Sequence, residues 1–393
     1  MKGGIRMTIV LEIYIIVCIA LLLFDIGFLM LKNSKNQQLN SKDESFKDKV
    51  SREVQKYSET GSFSENFVQE LPKELEKTVH LVSLQNVMEE QPDVKDWVHA
   101  ILYDLIDSYQ KKTDYEQAFY TYVISTLDYS KEKPPTEFSG KFLRFLESKS
   151  LYTFTNTMEA IYAFGEVHLM MQALDVVNAR GGFYHQKLLM DGMLTFKGDF
   201  EELNKELLQK FGKYEDHMKE CLLDYFRVQN CDAKDLCLRL MRDEQPDSEV
   251  KYRAMRYFHK FPCEEARASF LQILQDKTTI WIRQMLAIQG LQRYDDLEVR
   301  EAVKRKVTSR DWYVRNNAVA FLHKKGMTQA ELKELLLLND KYANESMLYQ
   351  YKDDAKMTAF ILDIIEQQKK EREAAAALPL QVEEVEHRVG LDL

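Results

Sequence analysis

Four cationic side chains recur at a fixed interval and have the chemistry to bind an acidic partner or a phosphate. Lys219, Lys251, Arg283 and Arg315 each follow an apolar residue, and the spacing from each one to the next is the same. In stacked repeats of equal length, such residues come to the same height on successive helices. In one interpretation, each cation pairs with an acid or a carbonyl of the neighbouring repeat. In the other, the four cations form a ladder that binds an acidic partner or a small anion.

Two tryptophans lie beside these cations. Trp281 is one residue before the Ile282–Arg283 pair, and Trp312 is two residues before the Val314–Arg315 pair. Tryptophan at this position suits packing between repeats, and it also suits an aromatic anchor on a binding surface. We therefore include Trp281 and Trp312, together with the four cations, among the predicted partner-binding residues.

Two acids lie within a long apolar run, residues 9–31. As a helix this run measures about 34 Å, enough to cross a hydrocarbon core of about 30 Å. Glu12 is near its start, whereas Asp25 is about two turns inside its other end, where an ionised carboxylate costs at least about 2.5 kcal/mol. Asp25 is either a protonated or snorkelling acid of a plain anchor, or it contacts a polar side chain of another membrane protein. We predict an intramembrane contact through Asp25 and, secondarily, Glu12.

The flanking charges set the orientation of this predicted transmembrane helix. Lys2 and Arg6 precede it, and a larger group of lysines follows it: Lys32, Lys35, Lys42, Lys47 and Lys49. Positive charge stays on the cytoplasmic side, so we expect the N-terminus outside and the body in the cytoplasm. Five sparse cysteines do not form a disulfide framework, which also favours a reducing compartment. We predict a single-pass protein of the plasma membrane.

The motifs of several enzyme and cofactor classes are missing from the sequence. It contains no glycine-rich phosphate loop, no G-x-S-x-G elbow and no H-E-x-x-H. His217 and Cys221 lack the close cysteine pairs of a zinc site. The overall pI of about 5.6 is not typical of nucleic-acid binding, although residues 247–326 hold 16 basic and 10 acidic residues in a chain of net charge −9. We predict a non-enzymatic protein without cofactor, metal or nucleic-acid partner.

Helical elements must position the repeated cations. Apolar residues keep the same interval around each cation, and Asp247, Thr279 and Asp311 stand three residues before the apolar–basic pairs, where they suit helix N-caps. Pro262 and Gly326 separate the paired helices. We therefore predict a series of helix pairs.

These repeats resemble a known family. The segment Trp281–Ile282–Arg283 and the segment DWYVRNNAVAFL, residues 311–322, are similar to HEAT repeats, in the short form found in phycobilisome lyase-type proteins. The resemblance covers about half of the chain and is strongest at residues 247–326. It implies an α-solenoid of stacked helix pairs, and it specifies a fold rather than a chemistry.

The predicted architecture is all-α, with one transmembrane helix followed by the solenoid. The predicted domains are residues 1–34, the transmembrane anchor; 35–66, a polar stalk; 67–145, a helical N-terminal part; 146–345, the HEAT-like solenoid; and 346–393, a charged helical extension and tail.

This architecture favours a cytoplasmic protein-interaction scaffold tethered to the membrane. An integral membrane protein, such as a transporter or a membrane glycosyltransferase, is the expected partner, because Asp25 and the solenoid could both contact it. The alternatives are a HEAT-derived, lyase-like enzyme and a sensor that binds a small anionic ligand at the basic solenoid face.

Overall fold

The computed structural model describes residues 45–377, except residues 58, 61–62, 91–94, 131–132, 182–183 and 244–245. All regular secondary structure in this part of the chain is helical, which confirms the predicted all-α class. Residues 9–31, with Glu12 and Asp25, lie outside the described residues. Among residues 45–377, no helix has both the length and the apolar character needed to cross a bilayer.

The helices form two compact units, one ending at Met218 and the other beginning at Lys219. The helices of unit 1 are α1 (residues 45–57), α2 (Glu65–Leu75), α3 (Thr78–Glu90), α4 (Lys95–Asp104), α5 (Ile106–Tyr109), α6 (Asp114–Ser125), α7 (Thr136–Phe142), α8 (Leu151–Phe164), α9 (Val167–Ala179), α10 (Gln186–Met193) and α11 (Phe200–Lys210). Helix α12 (Asp216–Gln229) begins before the division and ends after it.

Alternate helices pack against each other in unit 1. Helix α6 contacts α3 and α8, α8 contacts α10, and α9 contacts α11. The core between them is rich in aromatic side chains, of which Tyr109, Tyr120 and Phe154 are fully buried. Tyr109 and Tyr120 stack with their ring centroids 4.5 Å apart. Each hydroxyl donates to a backbone carbonyl, so the buried polar atoms of this pair are satisfied.

Unit 2 consists of two layers of helices. The first layer contains α14 (Glu249–Lys260), α16 (Trp281–Leu291), α18 (Trp312–Lys324) and α20 (Lys341–Gln350). The second layer contains α13 (Lys234–Arg242), α15 (Glu264–Gln275), α17 (Leu297–Lys304), α19 (Gln329–Leu337) and α21 (Ala355–Ala377). Within the first layer each helix contacts the next, and across the layers α15 contacts α16 and α17 contacts α18. The arrangement is repeat-like, and it continues through α20 and α21 beyond the predicted boundary at residue 345.

The first-layer helices begin close to the predicted caps, but only one predicted cap is confirmed. Asp311 caps α18 and accepts hydrogen bonds from the backbone N–H groups of Tyr313 and Val314, at 2.9 and 3.2 Å. The predictions for Asp247 and Thr279 were wrong by one residue, because Ser248 caps α14 and Ile280 precedes α16. Asp247 is paired with Arg283, and the Thr279 hydroxyl donates to the carboxylate of Asp276, in the segment between α15 and α16.

Candidate functional site

Two of the four repeat cations are enclosed by the first layer of unit 2. Lys251 is 4% exposed, and its Nζ donates to the carbonyl oxygen of Asp243 at 2.9 Å. Arg315 is 5% exposed, and its Nη1 donates to the carbonyl oxygen of Ser309 at 2.7 Å. Its Nε also donates at 3.3 Å to Ser346 Oγ on α20, the next helix of the first layer. Both cations therefore tie a first-layer helix to the segment that leads into it, which is the structural interpretation of the repeat.

The other two repeat cations keep partial contact with solvent. Lys219 lies on α12 and is half-buried. Arg283 is also half-buried, and its Nε is 3.6 Å from Asp247 Oδ1. This distance suits an ion pair but not a hydrogen bond, and Nε has no acceptor within hydrogen-bonding distance in the described part of the chain. A continuous cationic ladder is therefore not exposed on this layer.

An aromatic ridge lies at the N-terminal ends of α16, α18 and α20. We define it as Trp281, Trp312, Tyr313 and Tyr342, whose side chains are 39%, 52%, 50% and 59% exposed. The rings of Trp281 and Tyr313 stack across two helices with centroids 4.9 Å apart, and Trp312 meets Tyr313 edge-on at 5.1 Å. Large aromatic side chains exposed together are typical of binding surfaces.

The ridge rests on a fixed support. The guanidinium of Arg315 lies 5.3 Å from the centroid of the Tyr342 ring, a cation–π distance. Arg315 itself is held by the carbonyl of Ser309 and the hydroxyl of Ser346. The hydrogen bond to Ser346 joins α18 to α20, and the stacked rings of Trp281 and Tyr313 join α16 to α18, so the ridge is partly ordered before a partner binds.

The second layer of unit 2 is linked by ion pairs at a regular interval. Each joins a cation to the acid 31 residues later, on the next helix of the layer: Lys234 to Glu265 at 2.9 Å, Arg267 to Glu298 at 2.8 Å, and Arg300 to Glu331 at 2.9 Å. We call these three contacts the ion-pair series. The hydrogen bond from Arg300 lowers the pKa of the Glu331 carboxyl to about 2.

Basic side chains of residues 247–326 form ion pairs within unit 2. Lys304 Nζ lies 3.2 Å from a carboxylate oxygen of Glu301 and 3.5 Å from one of Glu334. Burial, together with the neighbouring charge of Arg305, lowers the pKa of the Lys306 ammonium. Part of this positive charge therefore serves contacts within unit 2, such as the pair of Lys304 with Glu334 of the next second-layer helix.

A polar pocket of about 290 Å³ opens beside Arg283. It lies against α13 and α15 and the segment that leads into α16, and its lining includes Arg242, Ser269, Asp276 and Thr279. Arg242 already donates to Ser269 Oγ at 3.1 Å and to the carbonyl of Glu265, which leaves three of its five N–H groups. Arg283, whose Nε has no acceptor among the described residues, and these remaining N–H groups of Arg242 keep donor capacity for an anion.

The sequence analysis found part of this site. Trp281 and Trp312 are on the ridge, Arg315 supports it from inside, and Lys251 is enclosed on α14, which carries no ridge residue. Tyr313 and Tyr342 were missed, although Tyr313 follows Trp281 at the same interval that separates Arg283 from Arg315. That spacing is the signal from which Tyr313 could have been predicted to lie beside Trp281 on the ridge.

Comparisons with known proteins do not assign the chain to a family. No protein-family model matches the sequence, and no curated protein matches it. One solved structure that matches is the crystal structure of an engineered protein from the Northeast Structural Genomics Consortium. It is 11% identical, with a TM-score of 0.33, and the match covers 84% of this chain and 96% of that one. Similarity at this level carries no argument about function.

Proposed function

We propose that this protein is a membrane-tethered scaffold whose HEAT-like α-solenoid binds an integral membrane protein on the cytoplasmic side. The observation that carries the proposal is the aromatic ridge: four large aromatic side chains are exposed on three successive helices of the first layer, α16, α18 and α20. Tryptophan and tyrosine contribute most of the binding energy in many protein interfaces. A ridge on a repeat surface therefore suits a protein partner better than it suits catalysis.

The position of the partner follows from the sequence. Residues 9–31 have the length and composition of a transmembrane helix, and the lysines after them favour a cytoplasmic body. A partner in the same membrane could meet the ridge and also satisfy Asp25 within the bilayer. A transporter and a membrane glycosyltransferase both fit this proposal.

The test is affinity purification of the full-length protein in mild detergent, beside the variants Trp312→Ala and Asp25→Leu. We expect a stoichiometric membrane protein to co-purify with the wild type and to fall at least tenfold with Trp312→Ala. The loss has a physical reason, since removing a central aromatic anchor typically costs about 2 kcal/mol or more. We expect Asp25→Leu to weaken the same complex.

Tyr115→Ala is the matched control, because Tyr115 is an aromatic residue of unit 1 that is 75% exposed and lies off the ridge. It should leave the yield of partner unchanged. Equal recovery of the partner with Trp312→Ala and with the wild type would exclude the ridge as the binding surface. Absence of any partner from all samples would reject the scaffold function.

A sensor of small anions is the second candidate, and the pocket beside Arg283 favours it. If this function is correct, pyrophosphate should raise the melting temperature of the full-length protein at low millimolar concentration, because a ligand that binds only the folded state stabilises it. Arg283→Met should abolish the increase, whereas Arg305→Met, at an exposed cation outside the pocket, should retain it. No increase with the wild type would reject the sensor.

A further inference from the structure

A second pocket of unit 2 lies between its last two helices. Helices α20 and α21 are joined by residues 351–354 and form an antiparallel hairpin. They enclose a groove of about 380 Å³, a volume within the usual range of ligand pockets. We call it the terminal groove. It is separate from the aromatic ridge, because none of the four ridge residues lines it.

The two ends of the terminal groove differ in chemistry. Lys341 stands at the start of α20, and the antiparallel α21 brings Lys369 and Arg372 to the same end, where Glu345 also lines the groove, 4.0 Å from Lys341 Nζ. Leu348 of α20 and Leu362 of α21 line the opposite end, and Leu362 is 50% exposed. Three cations against one carboxylate favour an occupant that is acidic at this end and apolar at the other.

Between these ends lie two side-chain amides whose oxygen atoms accept no hydrogen bond from the described residues. Asn344 is only 7% exposed, and its Oδ1 is buried without a partner in the described part of the chain. Gln368 Nε2 donates to the carbonyl of Leu336 at 3.0 Å, which fixes the orientation of that amide. Its Oε1 is then also left buried without a donor among the described residues. Buried acceptors in this state favour a ligand with N–H groups, as a peptide backbone has.

We propose that the terminal groove binds residues 378–393 of this same chain. This segment carries three glutamates close together, Glu383, Glu384 and Glu386, followed by the apolar Val389 and Leu391. Because α21 ends at Ala377, the glutamates come soon after Arg372 along the chain. A peptide returning along α21 would meet the cations first and the apolar end second, in the order that the sequence provides.

The length of the segment fits this path. From Lys369 to Leu362 the groove follows seven helical residues, about 10 Å. Extended chain from Glu386 to Val389 covers roughly 10 Å, so Glu386 lies beside Lys369 when Val389 reaches Leu362. The peptide backbone would supply N–H donors to Asn344 and Gln368.

Photo-cross-linking of the purified full-length protein tests the proposal. A photoreactive benzoylphenylalanine replaces Leu362, and the cross-linked peptides are identified by mass spectrometry. We expect the main product to join position 362 to residues 378–393 of the same chain. The same probe at Tyr349, a residue of α20 that is 56% exposed and outside the groove, should give at most one-tenth of that product.

Charge variants separate specific docking from chance proximity. Lys369→Glu should lower the yield at least fivefold, and Lys370→Glu should change it less than twofold, because Lys370 does not line the groove. The two variants are matched, since each lysine has a carboxylate one turn away on α21, Glu373 for Lys369 and Glu366 for Lys370. Adding Glu386→Lys to Lys369→Glu should restore the product.

Three results would overturn the proposal. The first is a product that joins position 362 only to the helices of unit 2. The second is a yield that Lys369→Glu leaves unchanged. The third is a product between isotopically light and heavy copies of the chain, because it would show that the occupant belongs to a second molecule.

Discussion

The repeat cations of unit 2 show how one residue type at one repeat position takes on different surroundings. Lys251 and Arg315 are enclosed, and backbone carbonyls replace the water around their charges. Arg283 keeps part of its hydration and faces a carboxylate instead. A buried cation needs such acceptors, because an uncompensated charge in the interior is strongly destabilising. The surroundings, and not the residue type, therefore distinguish Lys251 and Arg315, which donate to backbone carbonyls, from Arg283, whose Nε has no acceptor among the described residues.

His259 makes unit 2 sensitive to acid. Burial lowers the pKa of its imidazole to about 4, and Nε2 lies 3.1 Å from the carbonyl oxygen of Leu286 on α16. Since the folded pKa is below the ordinary value of about 6.5, protons bind preferentially to the unfolded chain. The stability from neutral His259 is complete above about pH 6.5 and is lost as the pH falls to about 4.

We therefore expect His259→Gln to reduce the acid sensitivity. Between pH 7.5 and 4, the wild type should lose about 3 kcal/mol more unfolding free energy than the variant does. Denaturant titrations of the two proteins at several pH values measure this difference. His323→Gln, at an exposed histidine of α18, is the control and should follow the wild type. Parallel pH profiles for the wild type and His259→Gln would contradict the prediction.

At the scale of elements, the ion-pair series joins the helices of the second layer. Glu331 is the best example, because it accepts from Arg300 on α17 and also caps α19 with Thr328. Its pKa is about 2 in the fold, below the ordinary value. The stability that this carboxylate contributes is present above about pH 4.5 and is lost as the pH falls toward 2.

Glu331→Gln should lower the unfolding free energy by about 1 kcal/mol at pH 7, as denaturant titration would measure it. The amide can still accept in the cap, so the change reports mainly the lost charge, and the partial exposure of the pair keeps the effect small. The difference from the wild type should shrink as the pH approaches 2. Glu334→Gln is the matched control, because its pair with Lys304 is on the surface. A larger effect from the control would assign the stability to surface charge in general.

At the scale of the whole molecule, the repeat interval predicted the helices better than it predicted their ends. The constant spacing located α14, α16 and α18, because the buried apolar positions must recur wherever one helix pair packs on the next. The cap of α14 was off by one residue, because Ser248 is itself a good cap and Asp247 pairs with Arg283. Thr279 does not cap α16, because its hydroxyl donates to Asp276 and Ile280 precedes the helix. Such competition between neighbouring polar residues depends on tertiary contacts.

The site was predictable only in part, for a related reason. Trp281 and Trp312 were recognised by residue type, but type alone does not show whether a tryptophan packs between repeats or faces solvent. The terminal groove was not predicted, because Asn344 and Gln368 are distant in the sequence and meet only when α21 folds back along α20.

The enclosed contacts of unit 2 and its exposed ion pairs will respond differently to dissolved salt. Ions screen the exposed pair of Lys234 and Glu265, so raising the salt concentration weakens the link between α13 and α15. The hydrogen bond from Arg315 to Ser346, which joins α18 to α20, is enclosed and is screened much less. The edge that carries Trp312 and Tyr342 therefore keeps its spacing in salt while the first helices of the second layer become compliant.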